Sequence, residues 1–372
     1  MRYTIPDGPA LPEAASPESQ PKNGYIRAHP RRVSAMLSKY LHSLLLPSFD
    51  WIQVEVTSYC NAACIYCPHT VFRNRWMNRH MTLETFGRII PAFKNTKLVY
   101  LQGWGEPFLN PHFFEMAGQA KKAGCRVGTT TNGTALDEGM IERILKTGMD
   151  VLSFSLAHTD ARNDYIRQGA RLEDVLDKIR RVTAAKKKAG TDKPAIHLAY
   201  LLLRSNKDDV KQLPQMLKGL GVSEVVVSTL DFPLSRELEK EVLFPKTGEE
   251  YEDLRSYLEE VRLEGEKVGV PIHYQIGHGG RRRLLCSENI EKAVVISAAG
   301  DVHPCVFTNL SLAAEQGAPE DTAPVERLSF GNVNEQSLDK IWRSKSYKNF
   351  RRSFYHDRLA SPCRHCSKLY LT

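Results

Sequence analysis

Residues 51–67 read WIQVEVTSYCNAACIYC. An apolar, β-branched run ends at Thr57, and the loop behind it sets cysteines at 60, 64 and 67. The same strand-like texture returns at KLVYLQG (97–103), CRVGTTT (125–131), DVLSFSL (150–156), AIHLAYLLL (195–203) and SEVVVST (223–229). Helical patterns separate these runs: LETFGRIIPAF, HFFEMAGQAKKAG with its glycine stop, DEGMIERILKTG opened by Asp137 as N-cap, LEDVLDKIRRVTAAKKKAG, and KDDVKQLPQMLKGLG capped near Asn206. Six strand–helix units in series predict a parallel sheet, open or curled into a partial barrel. In such folds the chemistry gathers at the C-terminal ends of the strands. The cysteine loop falls at one of them.

A further helix is expected at about 247–267, then a strand-like VPIHYQI, and the texture changes at His278-Gly279-Gly280. Of the eight cysteines, three stand at 60, 64 and 67, four at 286, 305, 363 and 366, and Cys125 is alone. In a reducing compartment, grouped cysteines read as metal ligands or redox groups. Three thiolates in one loop can wrap one face of an inorganic cluster and leave one metal without a protein ligand. A structural zinc site wants four ligands, so the first group would need His69 or a distant residue to make one. Four cysteines in the tail suffice for a closed site, an iron–sulfur cluster or zinc. Cys125 reads as a small buried hydrophobe.

With an aromatic residue, Tyr66, just before the third cysteine, the CxxxCxxC loop resembles that of the radical S-adenosylmethionine (SAM) superfamily. Gln102-Gly103-Trp104-Gly105-Glu106-Pro107 is similar to the family's GGEP motif, with Trp104 in place of a glycine. The resemblance implies a partial (β/α)6, TIM-like barrel at 51–277, with a SAM-binding 4Fe–4S cluster on Cys60, Cys64 and Cys67. It implies SAM contacts from Tyr66, Gly103, Gly105, Glu106 and Pro107, from Thr131 and Asn132 after the third strand, and from Ser155 and Arg167. The tail, C…GxxxxC…GN…CxxC, is similar to the SPASM and twitch auxiliary-cluster region. Only six residues follow Cys366, none of them cysteine, so one auxiliary 4Fe–4S cluster on Cys286, Cys305, Cys363 and Cys366 is expected in a small domain at 278–372. The implied reaction is reductive cleavage of SAM to a 5′-deoxyadenosyl radical that abstracts hydrogen from a substrate. Glu55, on one face of the first strand with Gln53 and Thr57, is a candidate catalytic carboxylate or a hydrogen-bonded structural one.

The rest of the chain bounds this reading. Hydrophobic residues are 42% and charged residues 25% of the 372, which excludes disordered, collagenous and disulfide-scaffold classes. No apolar run is long enough to span a bilayer, and the N-terminus lacks the pattern of a secretory signal, so a cytoplasmic protein is expected. Residues 1–50 read as a loose tail and a basic amphipathic helix at 26–46. They are too short and strand-poor for a separate peptide-recognition domain. The net charge of +8 is compatible with nucleic acid, anionic lipid or an acidic protein partner and does not choose among them; Lys186-Lys187-Lys188 reads as solvated surface, and Arg281-Arg282-Arg283 as surface or as a dock for an acidic electron donor or an anionic substrate. A flavodoxin or ferredoxin is the implied electron donor, and no nucleic acid is expected. The substrate would be a small molecule, a metallocofactor or protein under maturation, or a peptide. A non-catalytic zinc protein is the reading from another class. Anaerobic reconstitution separates them: about eight irons per chain are expected, falling to about four when Cys60, Cys64 and Cys67 are all replaced. Two zincs with negligible iron would exclude the cluster reading.

Overall fold

The computed structural model describes residues 48–277, 283, 286–313, 326–356, 358–364 and 366–370. The expected N-terminal helix and Arg281-Arg282 lie outside the described residues. The six expected strands all form: β1 (Phe49–Val54), β2 (Thr96–Tyr100), β3 (Arg126–Thr131), β4 (Val151–Leu156), β5 (Ala195–Leu202) and β6 (Glu224–Thr229). They pair in chain order, each parallel to the next. VPIHYQI adds β7 (Ile272–Gln275), parallel to β6. Two short strands of the tail, β8 (Ala293–Ile296) and β9 (Val302–His303), complete a nine-stranded sheet in the order β9-β8-β1-β2-β3-β4-β5-β6-β7. Among the described residues the outer strands β9 and β7 do not pair, so the barrel stays open.

The helices form where capping and periodicity coincide. The Thr82 side chain accepts the Thr85 amide to start α1 (Leu83–Phe93), whose Phe86, Ile89 and Phe93 are buried on one face. After α2 (Phe113–Lys122), α3 (Glu138–Thr147) starts on the Asp137 cap, and Gly148 ends it at φ 68°. The stripe Val175, Leu176, Ile179 and Val182 buries one face of α4 (Leu172–Ala189). The next helical pattern splits into a 3-10 stretch, Arg204–Gln212, and the short α5 (Leu213–Leu217). Pro214 falls in the first turn of α5, the position where its missing N–H costs nothing. The Asn206 side chain accepts the Leu203 amide and donates to the Leu201 and Ala157 carbonyls, so it ties strand ends together as well as capping. A reciprocal capping box of Thr247 and Glu250 opens α6 (Gly248–Lys267). No described helix is long and apolar enough to cross a membrane.

The tail runs through the boundary that the texture change marks at 278. Residues Ala293 to Ile296 of β8 pair in parallel with Trp51 to Val54, and β9 folds back antiparallel on β8. Beyond them, α7 (Leu338–Trp342) and α8 (Lys345–Ser353) carry Trp342, Tyr347 and Phe350 into the barrel core, where Trp342 meets Phe49 of β1 edge-on at 4.9 Å. Barrel and tail therefore share one sheet and one core.

At the N-terminal end of the barrel, Asp150 accepts hydrogen bonds from Lys121 (2.5 Å), Lys193 (2.5 Å) and the Val127 amide (2.8 Å). Burial alone would raise its carboxyl pKa, but the two lysines hold it below the ordinary aspartate range. Its stabilisation is therefore complete at neutral pH and is lost as the pH falls through that depressed value. Asp150→Ala is expected to lower stability by about 2–3 kcal/mol at pH 7 and by much less near pH 2, measured by urea unfolding.

Candidate functional site: two thiol groups at the strand ends

The motifs singled out in the barrel lie at the C-terminal ends of the strands or in the segments that follow them. Behind β1, the Ser58 hydroxyl donates to the Met77 carbonyl at 3.0 Å and accepts the Arg79 amide at 2.8 Å. The Trp76 indole donates to the Ser58 carbonyl at 3.0 Å. Residues 76–80 thus brace the base of the cysteine loop. A two-residue strand, Ala63–Cys64, pairs antiparallel with Arg167–Gln168. That pairing brings Arg167 to the thiols from a hundred residues away.

Arg167 is buried and donates from Nη1 to the Tyr66 hydroxyl at 2.6 Å, while its Nε has no hydrogen-bond partner among the described residues. A buried guanidinium N–H left unsatisfied calls for an acceptor supplied from outside the chain. Asn132 donates to Asn61 Oδ1 at 2.9 Å and lies 4.0 Å from Cys60 Sγ. Burial pushes the Cys60 thiol up to about 11 and Cys67 higher still, and each is raised further by Cys64. Unligated, these thiols hold their protons, so metal loading must release them.

The loop behind β2 is held from both sides. A Cβ on Gly105 would lie 2.3 Å from the Thr57 carbonyl oxygen and 2.5 Å from that of Tyr59. The Glu106 amide donates to that Tyr59 carbonyl at 2.8 Å. Glu106 itself is buried: Oε1 accepts the Thr131 hydroxyl at 2.7 Å and the Phe108 amide at 3.4 Å, and Oε2 accepts the Asn132 amide at 2.7 Å. Burial raises its carboxyl to about 7 against those donors. Both oxygens are taken, so Glu106 shapes the pocket by joining the ends of β2 and β3. Pro107 is buried and opens a single 3-10 turn, Pro107–Leu109. Ser155 is half-buried at the end of β4.

Glu55, the candidate catalytic carboxylate, is equally committed. Its Oε1 accepts the Trp104 amide at 3.0 Å, and its Oε2 accepts the Ala298 amide and the Asn309 side-chain amide, both at 3.2 Å. Burial raises its pKa despite these donors. A Cβ on Gly103 would sit 2.2 Å from Glu55 Cγ, so this glycine makes room for the carboxylate side chain.

The second group draws Cys286, Cys305, Cys363 and Cys366 together from across the tail. Burial is the main cause that raises all four thiols, and Cys286, Cys305 and Cys363 are raised further by fellow thiols of the group, Cys363 reaching about 12. Beside them Lys368 is buried, paired with Asp231 at 2.7 Å and Glu288 at 3.5 Å. Asp231 follows β6, so this ion pair fastens the end of the tail to the barrel mouth. Sequence reading passed over Lys368, although its place two residues after Cys366 was a signal. It passed over Asn309 too, which carries none. Cys125 behaves as expected, buried and donating to the Phe93 and Thr96 carbonyls at 3.3 Å.

All eight cysteines are free of disulfides. Among the described residues no three His, Cys, Asp or Glu side chains converge on one ion-sized point. Yet the thiols of each group stand within electrostatic reach of one another.

An open parallel barrel with thiols at its mouth and a second thiol group in the tail is the arrangement that the radical SAM resemblance implies. Comparison with known families agrees: residues 54–217 match the radical SAM superfamily and residues 286–367 the SPASM iron–sulfur cluster-binding domain. The chain belongs to the radical SAM superfamily, with a SPASM-type domain at its C-terminal end. It is 28% identical over 317 residues to the tungsten-containing aldehyde ferredoxin oxidoreductase cofactor-modifying protein of Pyrococcus furiosus, covering 81% of this chain and 83% of that one. It is 23% identical to the PqqA peptide cyclase of Granulibacter bethesdensis, covering 84% and 78%. In fold it resembles Streptococcus suis SuiB bound to S-adenosylmethionine, at TM-score 0.62 and 14% identity over 91% of this chain and 75% of that one. The anSMEcpe structure with bound AdoMet gives TM-score 0.61 at 16% identity, covering 86% and 84%. The protein is thus a radical SAM enzyme that uses a 4Fe–4S cluster and SAM, with auxiliary iron–sulfur binding in its tail.

Gly105→Ala is the sharpest test of the packing at the first site. Its Cβ would collide with backbone oxygens of the cysteine loop, which no side chain can vacate. The variant is expected to fold, because the barrel core is untouched, yet to lose most SAM binding, read by equilibrium dialysis of the reconstituted protein.

Proposed function

We propose that Cys60, Cys64 and Cys67 hold the SAM-binding 4Fe–4S cluster, and that Cys286, Cys305, Cys363 and Cys366 hold one auxiliary cluster. The carrying observation is the buried Arg167 beside the first thiol group, with an N–H that no described group of the chain accepts. It would receive the carboxylate of SAM, a charged acceptor that matches a buried guanidinium. The backbone of Gly103 and Gly105, with Pro107, would line the amino end of SAM, and Thr131, Asn132 and Ser155 the ribose side. Tyr66, held by Arg167, would close the loop behind the third cysteine. When bound, the reduced cluster supplies the electron that splits SAM, and the 5′-deoxyadenosyl radical takes a hydrogen from the substrate.

The chain's own contribution is to hold these partners in register and keep water out. Trp104, Phe307 and Phe232 come from three different loops and stand in ring contact, Trp104 to Phe307 at 6.2 Å and Phe232 to Phe307 at 5.4 Å. Below them Leu230, Leu234, Leu203 and Ala157 form an apolar cluster at the barrel mouth. Such walls shield a radical from solvent. Arg167 and Lys368 are the buried cations on the first and second thiol groups, and each offsets part of the negative charge that ligation would bring.

The substrate we propose is a small molecule or metallocofactor precursor undergoing maturation in the cytoplasm, with a flavodoxin or ferredoxin as electron donor. The similarity to the Pyrococcus furiosus cofactor-modifying protein supports this reading. A peptide substrate is the second reading, favoured by the PqqA peptide cyclase relatives. With dithionite and no substrate, the reconstituted protein is expected to convert SAM slowly to 5′-deoxyadenosine. Cys64→Ala is expected to abolish the conversion. Undiminished product from that variant, measured by chromatography, would refute the assignment of the first site.

A further inference from the structure

Between the two thiol-bearing loops lies a set of hydrogen bonds, continued at each end by packing or by the chain itself, and Glu55 stands in its middle. On the barrel side, the Glu55 carboxylate holds the Trp104 amide, one residue before Gly105, which packs on the cysteine loop. On the tail side, it holds the Ala298 amide and the Asn309 side chain. The Glu55 amide also donates to the Ile296 carbonyl at the end of β8, at 2.8 Å. The Trp104 indole closes the ring of contacts, donating to the Asn309 carbonyl at 2.6 Å. Asn309 follows a single 3-10 turn, Val306–Thr308, whose first flank is Cys305. The Thr308 hydroxyl donates to the Cys305 carbonyl at 2.9 Å, and Phe307 of the same turn meets the Trp104 ring.

Each end of this set is a thiol loop, and every link is buried or half-buried. Three of the four acceptor positions of Glu55 are filled, one on Oε1 and two on Oε2, so its carboxylate is committed mainly to holding loops rather than to moving a proton. What the arrangement does instead is fix the loop behind β2 to the segment that carries Cys305. We propose that Glu55, Trp104 and Asn309 are positioning residues that couple the auxiliary centre to the SAM-binding loop, so that ordering one loop orders the other. Such coupling is reciprocal: SAM bound at the first centre would tighten the turn at Cys305 as much as that turn tightens the SAM loop. Trp104 explains itself in this scheme. A glycine there would keep the amide bond to Glu55 but lose both the indole hydrogen bond and the ring contact. The proposal rests on the reading that the loop of Gly103 to Pro107 meets SAM.

Two variants test it. In Glu55→Gln one acceptor oxygen becomes an amide NH2 donor, which faces the donors that Glu55 now holds. Trp104→Phe keeps an aromatic ring and the backbone amide and removes the indole N–H together with the fused five-membered ring. Either variant, reconstituted to the wild-type iron content, is expected to bind SAM about tenfold more weakly, as loss of one buried hydrogen bond to a preorganised loop implies. In the metal-free protein, hydrogen exchange followed by mass spectrometry is expected to quicken together at the Trp104 and Ala298 amides. A structural role confined to the barrel would quicken only the first. Unchanged SAM affinity in Trp104→Phe, or exchange that rises on one side alone, would overturn the proposal; if Glu55→Gln does not fold, Trp104→Phe decides by itself. Failure of the wild-type protein to bind SAM would overturn the cofactor reading beneath it, a result the exchange measurement on metal-free protein keeps separate.

Discussion

Strand β1 is hydrogen-bonded on both edges, to β2 on one side and β8 on the other, and the architecture hangs on that double pairing. A parallel strand cannot be joined to its neighbour by a tight turn, so each pairing commits a long stretch of chain. On one side the commitment is α1, a conventional crossover. On the other it is the whole barrel: the chain travels from Val54 to Ala293 before it returns to the strand it started from. Because the cysteine loop leaves the end of β1, this return also brings the tail and its own thiols to the mouth of the barrel.

The polar side chains buried at that mouth follow from the same constraint. Loops from β1, β2, β3 and the tail crowd together where no regular ladder can satisfy their amides. Carboxylates and carboxamides take over that task. Glu55, Glu106, Asn110 and Asn132 each accept or donate across loops that lie far apart in sequence. A buried carboxylate is costly unless its oxygens are filled, and here they are. Glycines at 103 and 105 allow the approach, since a Cβ at either would occupy the space of Glu55 or of the cysteine loop's carbonyls. Among the described residues the Nε of Arg167, beside these groups, is a buried donor without an acceptor.

The thiols are set up by similar means. Burial raises the thiols of Cys60, Cys67, Cys305 and Cys363, and a buried cation stands beside each group, Arg167 at the first and Lys368 at the second. Lys368 is the more constrained of the two, since it answers to Asp231 and Glu288 as well as to the cysteines. An ion pair so enclosed contributes orientation more than stability, because both partners lost their water to form it. Here it orients the last turns of the chain against the end of β6.

Much of this was legible beforehand because it is local. Alternation of β-branched runs with capped amphipathic helices marks β1 to β6 and the helices between them, and the spacing of 60, 64 and 67 marks the first thiol group. Residues 278–372 were readable only as a separate cysteine-bearing unit, because the four residues of β8 are too few to announce a strand and nothing in them names β1 as a partner. The roles of Glu55 and Glu106 were likewise hidden: a carboxylate at a strand end looks the same whether it faces a substrate or three amides. Periodicity and spacing are properties of neighbours along the chain, so the sequence by itself determined the elements and the two cysteine groups. Which buried donor meets which acceptor depends on residues brought together by the closing of the sheet, such as Trp104 with Asn309 and Lys368 with Asp231. Only the tertiary structure decided those, because the desolvation that makes each pairing necessary arises when the loops pack.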